Sequence, residues 1–153
     1  MVANCGPTLP NNVTNTGVSG QYYFLVSNGL IADNQALFTY LERSGGRAVT
    51  LAPTAGGSIT GLDILQNYLT VGDSRSLTFS NSILLGAVGA TTDPNSLITS
   101  IIFTGGKYNL TMVGSKGFRT SATSTYQLDG DMTLSGTGAM LFNGPVTLTS
   151  DAT

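Results

Sequence analysis

The stretch TYQLDGDMTLSGTGAMLFNGPVTLT, residues 125–149, limits what this chain can fold into more than any other. Its apolar runs are very short: Tyr126–Leu128, Met132–Leu134 with Ala139–Phe142, and Val146–Leu148. Each run is closed by small or polar residues, Asp129-Gly130-Asp131, Ser135-Gly136-Thr137-Gly138 and Asn143-Gly144-Pro145. Runs this short, with turn chemistry between them, predict brief strands rather than helices. The same grammar predicts strands over 47–52, 58–60, 63–71, 76–79, 83–85, 97–103 and 108–113, with longer loops over 89–94 and 114–124.

Several strands share one form, in which two apolar residues flank a threonine: Leu77-Thr78-Phe79, Leu110-Thr111-Met112, Met132-Thr133-Leu134 and Val146-Thr147-Leu148. Alternation along a strand turns the flanking pair inward and the threonine outward. The triplets begin at unequal intervals, so there is no exact repeat, but the pattern resembles a solenoid with coils of roughly 20 residues. An antiparallel β-sandwich or jelly roll is the alternative, since Asn28-Gly29, Asp129-Gly130 and Asn143-Gly144 can make hairpin turns. Frequent small corners favour a parallel β-helix, and the expected fold class is all-β with that architecture.

The N-terminal part reads differently. Residues 1–20 are turn-rich, with one short strand around Val13, and QYYFLV at 21–26 is a strand pattern. DNQALFTYLER at 33–43 predicts a helix over about 34–43. Asp33 is its N-cap, Ala36, Leu37, Tyr40 and Leu41 form its apolar face, and Gly45-Gly46 is its stop. The rival reading is a strand through 36–41. The expected organisation is a lead-in and cap over 1–46, then stacked coils over 47–153, with the helix covering an open coil end. The chain stops just after a strand pattern, at Thr149–Thr153, which reads as a cut through a longer protein.

Composition narrows the function classes. One domain is the natural reading of 153 residues. Charged residues are only 9%, against about 25% in ordinary soluble domains. Hydroxyls and amides therefore carry solubility, which suits extracellular or virion proteins. The net charge is −2 and the six basic residues are scattered, which argues against nucleic acid and against a polybasic membrane patch. No stretch reaches the roughly 18 apolar residues of a spanning helix. Histidine is absent, which removes the commonest general base and metal ligand. The single cysteine, Cys5, forbids an internal disulfide. It leaves a free thiol, a bridge to another chain, or a partner outside this sequence as readings.

Two segments, GSITGLDILQNYLTVGDSRSLTFSNS (57–82) and DGDMTLSGTGAMLFNGPVTLTSDAT (129–153), resemble the passenger regions of type V secreted proteins. These include autotransporters, rickettsial-type outer-membrane antigens and filamentous-haemagglutinin-like adhesins. The resemblance implies a right-handed β-helix displayed on a Gram-negative cell surface, outer membrane-associated through a translocator, and used for adhesion. A second segment, ADNQALFTYLERSGGRAVTLAP (32–53), is similar to the helix-then-strand opening of pectate-lyase-like β-helices and phage tailspikes.

Candidate chemistry is sparse. Asp129 and Asp131 lie two apart, and paired carboxylates can cleave glycosides or hold Ca²⁺. An Asp-Gly-Asp step between strands is also an ordinary solvated turn. Asp63, Asp73 and Asp93 are scattered over loops and strand edges. No phosphate-binding glycine loop is present. A serine nucleophile would need a lysine or terminal-amine base, and Lys107 and Lys116 both sit in Gly-rich turns. Asn12 and Asn109 head glycosylation acceptor patterns. Thr147 and Thr149 form a Thr-x-Thr pair of the kind that orders water on ice-binding faces. Tyr22, Tyr23, Tyr40, Tyr68, Tyr108 and Tyr126 can stack on sugars but fall mostly within strands.

No catalytic, cofactor or metal residue is assigned. The expectation is a non-enzymatic secreted or surface adhesin or stalk, whose partner is a host surface protein or glycan. Neither nucleic acid nor membrane insertion is expected, and coil ends are a route to self-association. A glycan-binding or glycan-cleaving tailspike-like protein and a viral capsid or fibre protein are the alternatives.

Overall fold

The computed structural model describes residues 2–4, 12–13, 23, 36–41, 48–54, 58–90 and 98–149. The elements are β1 (Val2–Asn4), β2 (Asn12–Val13), β3 (Ala36–Leu41), β4 (Ala48–Pro53), β5 (Tyr68–Val71), β6 (Thr78–Ser80) and α1 (Asn81–Ala90). They continue as β7 (Ile98–Thr104), β8 (Lys107–Met112), β9 (Gly117–Thr120), β10 (Thr125–Leu128), β11 (Asp131–Ser135), β12 (Met140–Leu141) and β13 (Val146–Leu148).

Three sheets form. The first has the order β12-β9-β5-β4-β3-β1-β2, the second β13-β10-β6 and the third β11-β8-β7. Parallel pairing joins β4 to β5, β5 to β9, and β9 to β12. It also joins β6 to β10, β10 to β13, and β8 to β11. From β8 onward the chain visits the third, first and second sheets in turn and then repeats that order. The ladders are in strict register, with Phe79 opposite Tyr126 and Tyr126 opposite Val146.

This corrects the expected right-handed parallel β-helix with a short capping helix near the N-terminus. The first and third sheets are mixed. β3 pairs antiparallel with both β1 and β4, and β7 pairs antiparallel with β8 through an irregular register at Ile98/Ser100. The antiparallel sandwich fails equally, because the ladders that carry β9 to β13 are parallel.

The helix expected over 34–43 is not there: residues 36–41 are β3. Every residue from Ala36 to Leu41 has an opposite number on β4, from Pro53 to Ala48. Two flanking ladders satisfy its backbone, and that outweighs local helix propensity. Leu37, Phe38 and Thr39 are consecutive and all buried, so both faces of the strand are covered.

The one helix among the described residues is α1, where a strand over 83–85 was expected. Ser80 is its N-cap, its Oγ accepting from the Ile83 amide at 3.3 Å. The Asp129 carboxylate, 47 residues away in sequence, accepts from the Ser82 amide at 3.3 and 3.4 Å. A carboxylate at that end also suits the helix dipole. Leu84 and Ala87 are buried and belong to the central core.

Other boundaries shift. Residues 58–67 form no strand. They lie against the first sheet, where the Thr50 hydroxyl donates to the Asp63 carbonyl at 2.6 Å. The loop expected over 114–124 contains β9. Of the strand expected over 21–26 only Tyr23 is described, and it is exposed outside any element.

The core is a column of inward side chains shared by all three sheets: Val49, Leu51, Leu69, Val71, Phe79, Leu110, Met112, Phe118 and Tyr126, closed by Phe38, Leu84 and Ala87. Phe79 and Tyr126 stack with centroids 6.3 Å apart, and Phe118 meets Tyr126 edge-on at 5.8 Å. In β8 Tyr108, Leu110 and Met112 are buried and Thr111 is exposed, the alternation that its sequence predicts.

The layers approach so closely at the corners that some positions admit no side chain. A Cβ on Gly138 would lie 2.2 Å from the Lys116 carbonyl oxygen and 2.7 Å from that of Ser115. Gly86, in α1, has nothing within 4 Å of the same position. We expect Gly138→Ala to destabilise the fold by about 2 kcal/mol. Gly86→Ala is expected to stabilise it by about 0.5–1 kcal/mol. Chemical denaturation midpoints of the two variants check both signs.

Candidate functional site

One cluster of polar groups lies where the start of α1 meets the turn between β10 and β11. Tyr126 projects inward from the middle strand of the second sheet, and its hydroxyl donates to Asn81 Oδ1 at 2.9 Å. The Asn81 amide nitrogen donates to the Gly130 carbonyl at 3.1 Å. Both side chains are buried, and each bond supplies the partner that a buried polar group needs. The Ser82 hydroxyl donates to Asp129 Oδ2, and the hydroxyls of Ser80 and Ser82 lie 2.8 Å apart. Burial pushes the phenols of Tyr126 and Tyr108 above the usual tyrosine range, and the neighbouring Asp129 carboxylate adds to the effect on both.

These contacts define the candidate carboxylates. Asp129 caps α1 from across the fold. Asp131, the first residue of β11, pairs with Lys107 on β8 at 3.2 Å. Each is held by the chain's own groups, so the two are bracing residues of separate contacts. Asp73 is buried and gripped by Arg75, with Nε 3.0 Å from Oδ1 and Nη2 2.5 Å from Oδ2. Arg75 Nη2 also donates to the Pro53 carbonyl. The Asp73 carbonyl accepts from the Thr123 hydroxyl at 2.6 Å, which ties two successive layers together. Asp63 is exposed, and Asp93 lies outside the described residues.

Lys116 donates to the Asn67 side-chain carbonyl one layer away. Among the described residues no group of three acidic, cysteine or histidine side chains could hold a metal ion. Asn12 heads β2 and Asn109 lies mid-way along β8, half-buried. The Thr149 hydroxyl donates to the Leu128 carbonyl at 3.1 Å, so it braces the chain instead of facing water as half of a Thr-x-Thr pair. Of the tyrosines, Tyr126 and Tyr108 are buried, Tyr68 is half-buried and Tyr23 is exposed. The side chains of Tyr22 and Tyr40, and Cys5, lie outside the described residues.

A hydroxyl and amide network that local reading did not single out joins successive layers. Asn143 donates from its backbone amide to Thr120 Oγ1 and from its side chain to the Thr120 carbonyl, both at 2.9 Å. Ser135 and Thr111 hydroxyls lie 3.0 Å apart. The Thr137 hydroxyl donates to the Gly114 carbonyl at 3.0 Å. Partners in these three contacts are 23 or 24 residues apart in sequence. On the outer face of the first sheet, Thr39, Thr50 and Thr70 are in register and buried. Chemically, then, the polar side chains lock layers to one another. No known protein family, curated protein or solved structure matches the chain.

Tyr126→Phe leaves Asn81 Oδ1 without its buried donor, which costs about 1–2 kcal/mol near neutral pH. Tyrosine ionises near pH 10 when unfolded, and the folded phenol ionises only at higher pH. The wild type therefore loses stability as pH rises above about 10. The variant escapes that loss, so the stability gap between the two should narrow there. Urea unfolding of both proteins at neutral and strongly alkaline pH measures it.

Proposed function

We propose that this protein is a non-catalytic structural or adhesive component of a secreted or cell-surface assembly. One observation carries the reading. Asp73, Asp129 and Asp131, the carboxylates nearest the dense polar contacts, are each spent on the protein's own architecture: an arginine, a helix start and a lysine. The same is true of the corner residues Asn143, Thr120, Thr137 and Thr149, which donate to or accept from the adjacent layer. A fold that invests its polar groups in joining layers makes a stiff spacer. Its outward threonines, such as Thr78, Thr111, Thr133 and Thr147, leave a weakly charged, hydroxyl-rich flank. Such a flank suits contact with host glycans or host surface proteins through many neutral hydrogen bonds.

The low charge and the style of residues 57–82 and 129–153, similar to that of type V passengers, support the same reading. The expected outcome is saturable binding to immobilised glycans or extracellular-matrix proteins, with no release of reducing ends from a polysaccharide panel. Turnover that disappears in Asp131→Asn would overturn it in favour of a glycan-cleaving protein.

A further inference from the structure

The outer face of the first sheet holds two donors that the fold leaves unused. On β5, Tyr68 and Thr70 stand opposite Gly117 and Arg119 of β9. Leu69, Val71 and Phe118, which alternate with them, fill the core, so these four positions face outward. Arg119 lies between Thr70 and, on β12, Leu141, and neither ladder neighbour offers it a carboxylate. Among the described residues Arg75 is paired with Asp73, Lys107 with Asp131 and Lys116 with Asn67, but the Arg119 side chain has no such partner. Its Nε is buried and unbonded, and so is Thr70 Oγ1 directly across the ladder, on a residue only 2% exposed. A guanidinium and a hydroxyl held side by side without an acceptor are the complement of an anionic oxygen.

We propose that this patch binds the carboxylate of an acidic sugar, a uronic or sialic acid unit. The proposal rests on the reading of the protein as a glycan-contacting surface and names the glycan's chemistry. The neighbours of Arg119 favour a sugar over a bare ion. The Tyr68 ring lies over Gly117, where a Cβ would come within 2.6 Å of its Cε1, so the glycine makes room for the ring on this face. That ring is half-buried and offers apolar surface to a pyranose. The Lys116 ammonium, held by Asn67 just before Tyr68, adds a second positive charge at the border. Arg119 is also half-buried. The carboxylate therefore meets the outer end of the side chain first, and the guanidinium turns to close a two-pronged contact through Nε and one Nη. The Thr70 hydroxyl donates to the same carboxylate.

Isothermal titration calorimetry of the full chain at physiological salt tests this, with an oligogalacturonate and with sialyllactose as probes. One or both should bind saturably, and the arm that binds identifies the sugar. The methyl ester of that probe should bind at least about tenfold more weakly. Arg119→Gln should cause a loss of the same size. So should Arg119→Lys, which keeps the charge but not the fork. Thr70→Val removes an orphaned hydroxyl, so its denaturation midpoint should equal or exceed that of the wild type while its binding weakens. A threonine with a purely structural role would not separate the two readouts. Lys107→Gln, on the third sheet, should leave binding unchanged. Failure of both probes to bind would overturn the proposal. So would equal binding of the ester or of dextran sulfate, or binding indifferent to Arg119 and Thr70. Attachment to glycans or matrix proteins that persists in Arg119→Gln, with neither acidic probe bound, would overturn this subsite and leave the adhesive reading standing. Absence of binding to any glycan or matrix protein would remove both.

Discussion

The parallel ladder through β10 is the constraint on which the other contacts depend. β10 lies between β6 and β13, and its register places Tyr126 over Phe79 and under Val146. Tyr126 is held from every side, by Phe79 stacked on it, Phe118 and Phe142 against its edges, and Asn81 at its hydroxyl. Moving the register by one residue would turn Tyr126 outward and put Gln127 into the column. It would also withdraw Asp129 from the start of α1, which its carboxylate caps. Helix position, core filling and layer spacing therefore follow from one alignment.

Placement of polar groups follows from the same stacking. Each layer must satisfy corner carbonyls and amides that the ladders do not reach, and the partners come from the layer before. Short hydroxyl and amide side chains suit that task because they reach one layer spacing and cost little to desolvate once paired. Among the described residues two side-chain atoms escape the scheme: Thr70 Oγ1 and Arg119 Nε are buried without a partner, on residues that face each other across the β5–β9 ladder. A protein built in this way has low charge for a structural reason. That links the composition to the proposed role as a spacer or adhesive surface.

Much of the strand content was legible in local sequence. Tyr126–Leu128, Met132–Leu134 and Val146–Leu148 fall within β10, β11 and β13 because alternation and glycine turns act over a few residues. What long-range contacts decide was not legible. β3 looked helical because its helix-compatible spacing is local, whereas its ladders to β1 and β4 are not. α1 looked like a strand because Gly86 and Gly89 dilute its periodicity and part of its cap comes from Asp129. β9 hid in a polar loop, since Phe118 is its one large apolar residue. Its strand character comes from lying between β5 and β12. Asp129 and Asp131 stood out in sequence as a carboxylate pair. Their separate engagement by Ser82 and Lys107 required the fold.

Cross-linking across the β10–β13 ladder tests this account most directly. Gln127 and Thr147 are opposite one another in parallel register. In parallel neighbours such a pair sits at a separation that a disulfide spans. In a Cys5→Ser background, the double substitution Gln127→Cys with Thr147→Cys should form an intramolecular disulfide under mild oxidation. Gln127→Cys with Thr149→Cys, two residues out of register, should not. Bridging of the second pair in preference to the first, or of neither, would contradict the alignment on which the fold rests.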